Sequence, residues 1–120
     1  MPLIVDHPKR IQAAGTRPKI IEEFFGMPSN GTSAVSIARM VSPEGWEEPG
    51  QRPEFDEYTV VLKGTLVVES ENEKRLLTEG KAVHCKKNVW VRYSTPYAGG
   101  AEYIAVCIPA FSPETVHRDS

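Results

Sequence analysis

An all-β sandwich or barrel is the fold class this sequence predicts, and three observations predict it. Ten prolines and nine glycines are spread along 120 residues and cut the apolar content into short runs. The run Tyr58-Thr59-Val60-Val61-Leu62-Lys63 has the β-branched and aromatic content of a strand. Val35-Ser36-Ile37-Ala38-Arg39-Met40 alternates, with Val35, Ile37 and Arg39 on one face and Ser36, Ala38 and Met40 on the other. Helical periodicity is sparse by comparison.

The elements follow in order. Strands are expected near 19–25, 34–41, 58–70, 74–77, 82–85, 89–93 and 101–108. The third is too long for one straight strand, so Gly64 is expected to mark a bend or bulge between two pieces. Glu71-Asn72-Glu73 reads as the hairpin turn that follows it. Ser112-Pro113-Glu114 has the pattern of an N-cap, an N1 proline and an early acid, which predicts one helical turn over Pro113–His117.

Composition narrows the function classes. Hydrophobic residues make up 40% and charged residues 25%, values of an ordinary globular domain. A formal charge of −2 supplies no basic field for a phosphate backbone, so no nucleic-acid partner is expected. The N-terminal MPLIVDHPKRIQAAG has only a short apolar run before Asp6, and no stretch reaches membrane-spanning length. The expectation is a single cytoplasmic domain, 1–120, with no membrane partner. Two cysteines, Cys85 and Cys107, are too few for a disulfide framework and are read as free thiols.

Gly45, the five residues Trp46–Gly50, the triplet Gln51-Arg52-Pro53, three residues, Glu57 and six more to Gly64 resemble the first signature of the cupins. Gly80, the triplet Lys86-Lys87-Asn88, Val91 and Thr95 stand at the intervals of the second. Asn88 occupies the turn-glycine position, which suits a residue that tolerates the left-handed conformation. The chain thus resembles small single-domain bacterial cupins. That resemblance implies an RmlC-like jelly-roll barrel, or double-stranded β-helix, with its core about 34–108, an N-terminal arm 1–33 and a C-terminal cap 109–120. It also implies a homodimer, paired through strand exchange or sheet packing, with the N-terminal segment free to take part.

Cupins usually hold a metal with three His and one Glu, and the matching positions here are Gln51, Pro53, Glu57 and Val91. One carboxylate and one amide do not make a site for a late transition metal, so no metal and no cofactor are expected. A rearranged metal site would have to draw on Glu47, Glu48, Glu54 or His84.

With Glu57 inward, alternation turns Thr59 and Val61 inward and Tyr58, Val60 and Leu62 toward the other layer. Val91 inward brings Tyr93 inward and turns Trp90 and Arg92 out. The expected pocket therefore holds Gln51, Glu57 and Tyr93, walled by Val61 and Val91, with Arg39 as a possible ion-pair partner and His117 folding over the mouth. A carboxylate among apolar walls has its charged form disfavoured, the profile of an acid–base group near neutral pH. Glu57 and Tyr93 are the catalytic candidates, and Gln51, Arg39, Val61, Val91 and His117 the substrate-binding ones. The leading expectation is a cupin that binds a small molecule, with metal-independent isomerase, lyase or cyclase chemistry if it is an enzyme. The alternatives are a non-catalytic sensor and a metal-dependent dioxygenase or isomerase with an unusual ligand set.

Overall fold

The computed structural model describes residues 2–120, and they form an almost wholly β structure. The strands are β1 (Lys9–Ile11), β2 (Ile20–Phe25), β3 (Ser36–Ser42), β4 (Trp46–Glu47), β5 (Asp56–Glu69), β6 (Lys74–Thr78), β7 (Ala82–Cys85), β8 (Arg92–Thr95) and β9 (Ala101–Ile108). One short helix, α1 (Met27–Asn30), follows β2. The strands run in the order β1-β2-β3-β9-β5-β8-β4, with β6 and β7 also paired to β5.

The long strand β5 makes the sheet curl. Its first half pairs with β7 and β9, and its second half with β6 and β8. The change of partners is accompanied by a register shift between Val61 and Lys63, followed by Gly64 at φ +77°. A Cβ on Gly64 would stand 2.1 Å from the Gly100 carbonyl oxygen, so this crossing admits only glycine. The bend expected from the sequence is present, within one continuous strand.

Alternation along β5 decides what is inside. Thr59 and Val61 are buried, whereas Tyr58, Val60 and Leu62 are exposed on the outer face. Two apolar clusters result. One joins Trp46, Val61, Leu66, Val91, Tyr93 and Tyr103 among others; the second joins Phe55, Cys107 and Val116, with Phe111 against it. Each fully buried side chain of this size contributes about 1.5–3 kcal/mol.

Several local expectations need correction. Residues 113–115 form a turn rather than a helix, closed by Thr115 N–H to the Ser112 carbonyl (3.1 Å). The backbone there is taken by strand-like pairing: Glu54 N–H donates to the Thr115 carbonyl at 2.9 Å and Arg52 N–H to that of His117 at 3.1 Å. The strand expected over 89–93 starts later, at Arg92, because Asn88 turns in the left-handed region at φ +66°. The N-terminal arm is not free. β1 pairs with β2, Thr16 N–H donates to the Glu47 carbonyl (2.9 Å), and the Trp46 indole donates to the Ala14 carbonyl (3.0 Å). Among the described residues, no helix is long and apolar enough to cross a membrane.

Candidate functional site

A cavity of about 80 Å³ opens between the two apolar clusters, since Tyr93 and Tyr103 of the first and Phe55 and Cys107 of the second all line it. Its walls come from different parts of the chain for simple geometric reasons. β5 sends in Glu57 and Thr59, β3 sends in Ser36, Ala38 and Met40, and β2 sends in Ile21 and Glu23. The N-terminal arm closes one side with Ile11 and Lys19, and the C-terminal segment closes another with Phe111 and Arg118. Ser36 Oγ accepts the Phe111 N–H at 2.9 Å and pins that segment in place.

Two carboxylates dominate the polar end. Glu57 lies opposite Cys107 on β9 and Cys85 on β7 in the ladder, with its side chain turned into the cavity. Its Oε1 accepts the Tyr93 hydroxyl at 3.1 Å. Burial pushes its carboxyl above the ordinary range, against the lowering effects of the Tyr93 hydrogen bond and the Lys19 charge. Glu48, just beyond β4, is pushed up to about 7 by burial, with Lys19 opposing and the charge of Glu57 adding to the rise. Its Oε2 is buried without a hydrogen-bond partner.

The cation whose charge opposes both rises, Lys19, is committed elsewhere. Lys19 Nζ donates to the Tyr103 hydroxyl at 2.8 Å and sits 3.8 Å above the Trp46 ring. Tyr103 in turn shares a hydrogen bond with Ser42 at 2.8 Å. Burial raises both tyrosines, Tyr93 well above its usual value, so their hydroxyls stay protonated as donors near neutrality. Burial likewise pushes the Cys85 and Cys107 thiols up, which keeps both as unreactive thiols.

The structure brings Gln51, Glu57 and Tyr93 together around the cavity. Gln51 is buried, and its backbone bridges Val91 and Arg118. Four other candidates lie elsewhere. Arg39 is on the outer face, because the small face of β3, Ser36-Ala38-Met40, is the one that turns inward; its guanidinium binds Glu22 (2.7 Å) and Glu102 (3.1 Å). Val61 and Val91 point inward but are packed into the apolar core rather than onto the cavity wall. His117 is turned out by a left-handed backbone (φ +49°) and its ring meets Glu54, while the next residue, Arg118, reaches the cavity. The Tyr93 hydroxyl is directed at Glu57 rather than held free for a substrate oxygen.

Sequence reasoning did not pick out Lys19, Tyr103, Glu23 or Arg118, and considered Glu48 only as a metal ligand. Glu48 had a usable signal: Trp46 is buried, and alternation from an inward tryptophan turns Glu48 inward as well. Lys19 and Arg118 had none, since each reaches the cavity through a segment packed across the barrel.

The donor set does not fit the His3Glu metal centre. Pro53 and Val91 carry no ligand atom, and His84 is on the outer face, stacked on Tyr58 with ring centroids 4.2 Å apart and 3.5 Å from Asp56. His7 and His117 are exposed. Among the described residues, no group of three His, Cys, Asp or Glu side chains is placed to hold a metal ion.

No family model matches the chain. It is 40% identical over 102 residues to Endoribonuclease YbeY of Myxococcus xanthus, covering 85% of this chain but only 35% of that protein. The chain thus spans about a third of the length of the curated relative it matches. Among solved structures it is similar to EutQ of Clostridium difficile, with a TM-score of 0.65 and 20% identity, covering 85% of this chain and 73% of that one. The polyketide cyclase RemF of Streptomyces resistomycificus has a TM-score of 0.72 at 16% identity, covering 98% and 84%. An RmlC-like cupin of Methanocaldococcus jannaschii with a double-stranded β-helix has a TM-score of 0.67 at 19% identity, covering 87% and 92%. With the curled β5 and the central cavity, these likenesses show that the chain has the fold of the RmlC-like cupins, a jelly-roll double-stranded β-helix.

Proposed function

We propose that this chain binds a small organic molecule in the barrel cavity and moves a proton on it without a metal, with Glu57 as the acid–base group. The observation that carries this reading is the setting of Glu57: a carboxylate facing an enclosed, largely apolar cavity, raised above its usual range and held by one phenol. Tyr93 positions that carboxylate, and Gln51 offers an amide to the ligand. Isomerase, lyase or cyclase chemistry all use such a group. The likeness to a polyketide cyclase supports this range, since it is a fold-level precedent for small-molecule chemistry.

Mass spectrometry of protein purified from its expression host identifies what the cavity retains. Glu57→Gln then separates an enzyme from a sensor: turnover of that molecule is lost while its binding persists. Turnover undiminished in Glu57→Gln overturns the assignment. A metal present at one per chain in protein purified without added metal overturns the metal-free part. The ribonuclease activity named for the Myxococcus relative stays outside the proposal, because a formal charge of −2 offers no field for a phosphate backbone.

A second copy of the chain is proposed to cover the outer face of the sheet. Tyr58, Val60 and Leu62 are exposed there, beside Ile104 and Val106 on the paired strand β9. With the N-terminal arm already packed on its own barrel, pairing of this face is favoured over strand exchange. Light scattering of wild type and Val60→Lys tests it; an unchanged dimer, or a wild-type monomer, rejects this face.

A further inference from the structure

The proposed use of Glu57 leaves its neighbour Glu48 without a role, although Glu48 is the more exceptional group. It lines the same cavity, and one of its carboxylate oxygens is buried with no hydrogen-bond partner. Buried polar atoms are nearly always satisfied, so an oxygen left without a partner disfavours the charged form and keeps Glu48 a neutral acid at the cavity wall. The cation that could neutralise it, Lys19, has its ammonium on the Tyr103 hydroxyl and the Trp46 ring. The cavity's formal charges point the same way. Lys19 and Arg118 face Glu23, Glu48 and Glu57, so the lining becomes neutral when one acid holds a proton. A neutral ligand fits a neutral lining.

We propose that Glu48 is the proton donor that works with Glu57 in this cavity, and that the pair acts on a neutral carbonyl compound with an apolar body. The proposal rests on the reading of Glu57 as the base. Glu57 removes a proton from the carbon beside the carbonyl, and the C–H electron pair becomes the new C=C bond. The carbonyl π pair takes the proton of Glu48, giving a neutral enol and no free enolate. Where the ligand carries a β,γ double bond, the enol is a dienol. Glu57 delivers its proton to the γ carbon, the Cβ=Cγ pair forms that C–H bond, and the C=C shifts to Cα–Cβ. The C=O re-forms as the enol proton returns to Glu48, an isomerisation without any co-reactant. Met40, Phe55 and Phe111 supply the apolar wall for the ligand's body. The two acids divide the work because their charges oppose each other: Glu57 is held as the acceptor by the Tyr93 hydroxyl, while nothing holds Glu48 ionised at its buried oxygen.

The groups that face Glu48 are Lys19 from the arm before β2, Glu57 from β5, Arg118 from the C-terminal segment, and the hydroxyls of Tyr93 and Tyr103. Carbon-13 NMR of the whole protein labelled at glutamate side-chain carboxyls tests the pair without any substrate. The expected result is one resonance titrating near pH 7, absent in Glu48→Gln. Its midpoint falls in Glu57→Gln, where the neighbouring charge is gone, and rises in Lys19→Met, where the opposing cation is gone. If Glu48→Gln does not fold, the opposite movements in the other two variants still identify the resonance. A Glu48 signal in the ordinary carboxylate range, or one that Glu57→Gln leaves in place, overturns the proposal. Loss of turnover in Glu57→Gln with an ordinary Glu48 titration rejects the donor role while leaving the base assignment standing.

Discussion

Two clusters of charge, on opposite faces of the same curled sheet, are built from similar groups and end in opposite states. On the outer face, Arg39 lies between Glu22 and Glu102 at 2.7 and 3.1 Å, and the side chains are 38, 26 and 21% exposed. Both carboxylates pair with the guanidinium, and hydrogen bonds to them raise the arginine further. In the cavity, the charge of Lys19 opposes the rise of both Glu48 and Glu57, but its ammonium lies on a phenol and an indole ring. The outer cluster is satisfied and therefore inert. The inner one keeps an orphan oxygen and two raised carboxyls, so its charge remains available for chemistry.

The largest effect should come from Glu57. Once a substrate is in hand, Glu57→Gln is expected to lower turnover by about 10²–10⁴-fold, measured as kcat, while Arg39→Met leaves kcat within about twofold. Equal losses in both variants would erase the distinction between the two faces.

Glu48 comes next, through stability. Its carboxyl is raised in the folded state relative to the unfolded chain, so its contribution is complete below about pH 4.5 and is lost as pH rises to about 7. The loss is on the order of 1–3 kcal/mol across that window. Urea unfolding between pH 5 and 8 should show it, and Glu48→Gln should flatten that slope and be more stable than wild type at pH 8. A wild-type stability that climbs over this range contradicts a buried, raised Glu48.

Tyr93→Phe is subtler. It removes the donor that lowers Glu57, so the midpoint of Glu57 should move to higher pH, visible in the pH dependence of kcat/KM or in the same carboxyl NMR titration. An unmoved midpoint would mean that the phenol does not tune the carboxylate. Arg39→Met should change least, costing about 0–1 kcal/mol in thermal unfolding and less at high salt, as expected of partly exposed pairs. A loss several times larger would show that the outer cluster is structural in earnest.

The contrast also explains which parts of the site could be read before folding. Glu57, Thr59 and Tyr93 lie within or beside strands whose period-two alternation has one orientation that hides the apolar side chains, so their direction followed once a single inward residue was set. The same rule was available for β3, but Arg39 was given a possible inward role there. Its size and charge belong with water, and the small residues Ser36 and Ala38 are the ones that make room for a cavity. Val61 and Val91 show a further limit: inward means toward the interior, and the interior contains both core and cavity.

Local pattern determined the β class and the placement of the bend at Gly64, while the resemblance to the cupin signatures supplied the left-handed turn at Asn88 and the inward carboxylate of Glu57. Each of these depends on the geometry of a few consecutive residues, on alternation or on a backbone angle. The tertiary structure decided the composition of the cavity: Lys19 and Arg118 arrive from segments at the two ends of the chain, and Glu48 becomes an unpaired acid because that lysine is engaged by Tyr103 and Trp46. Pairings over such sequence distances are set by how the sheet closes, and desolvation exists only once it has closed, which is why the protonation of this site is a property of the fold.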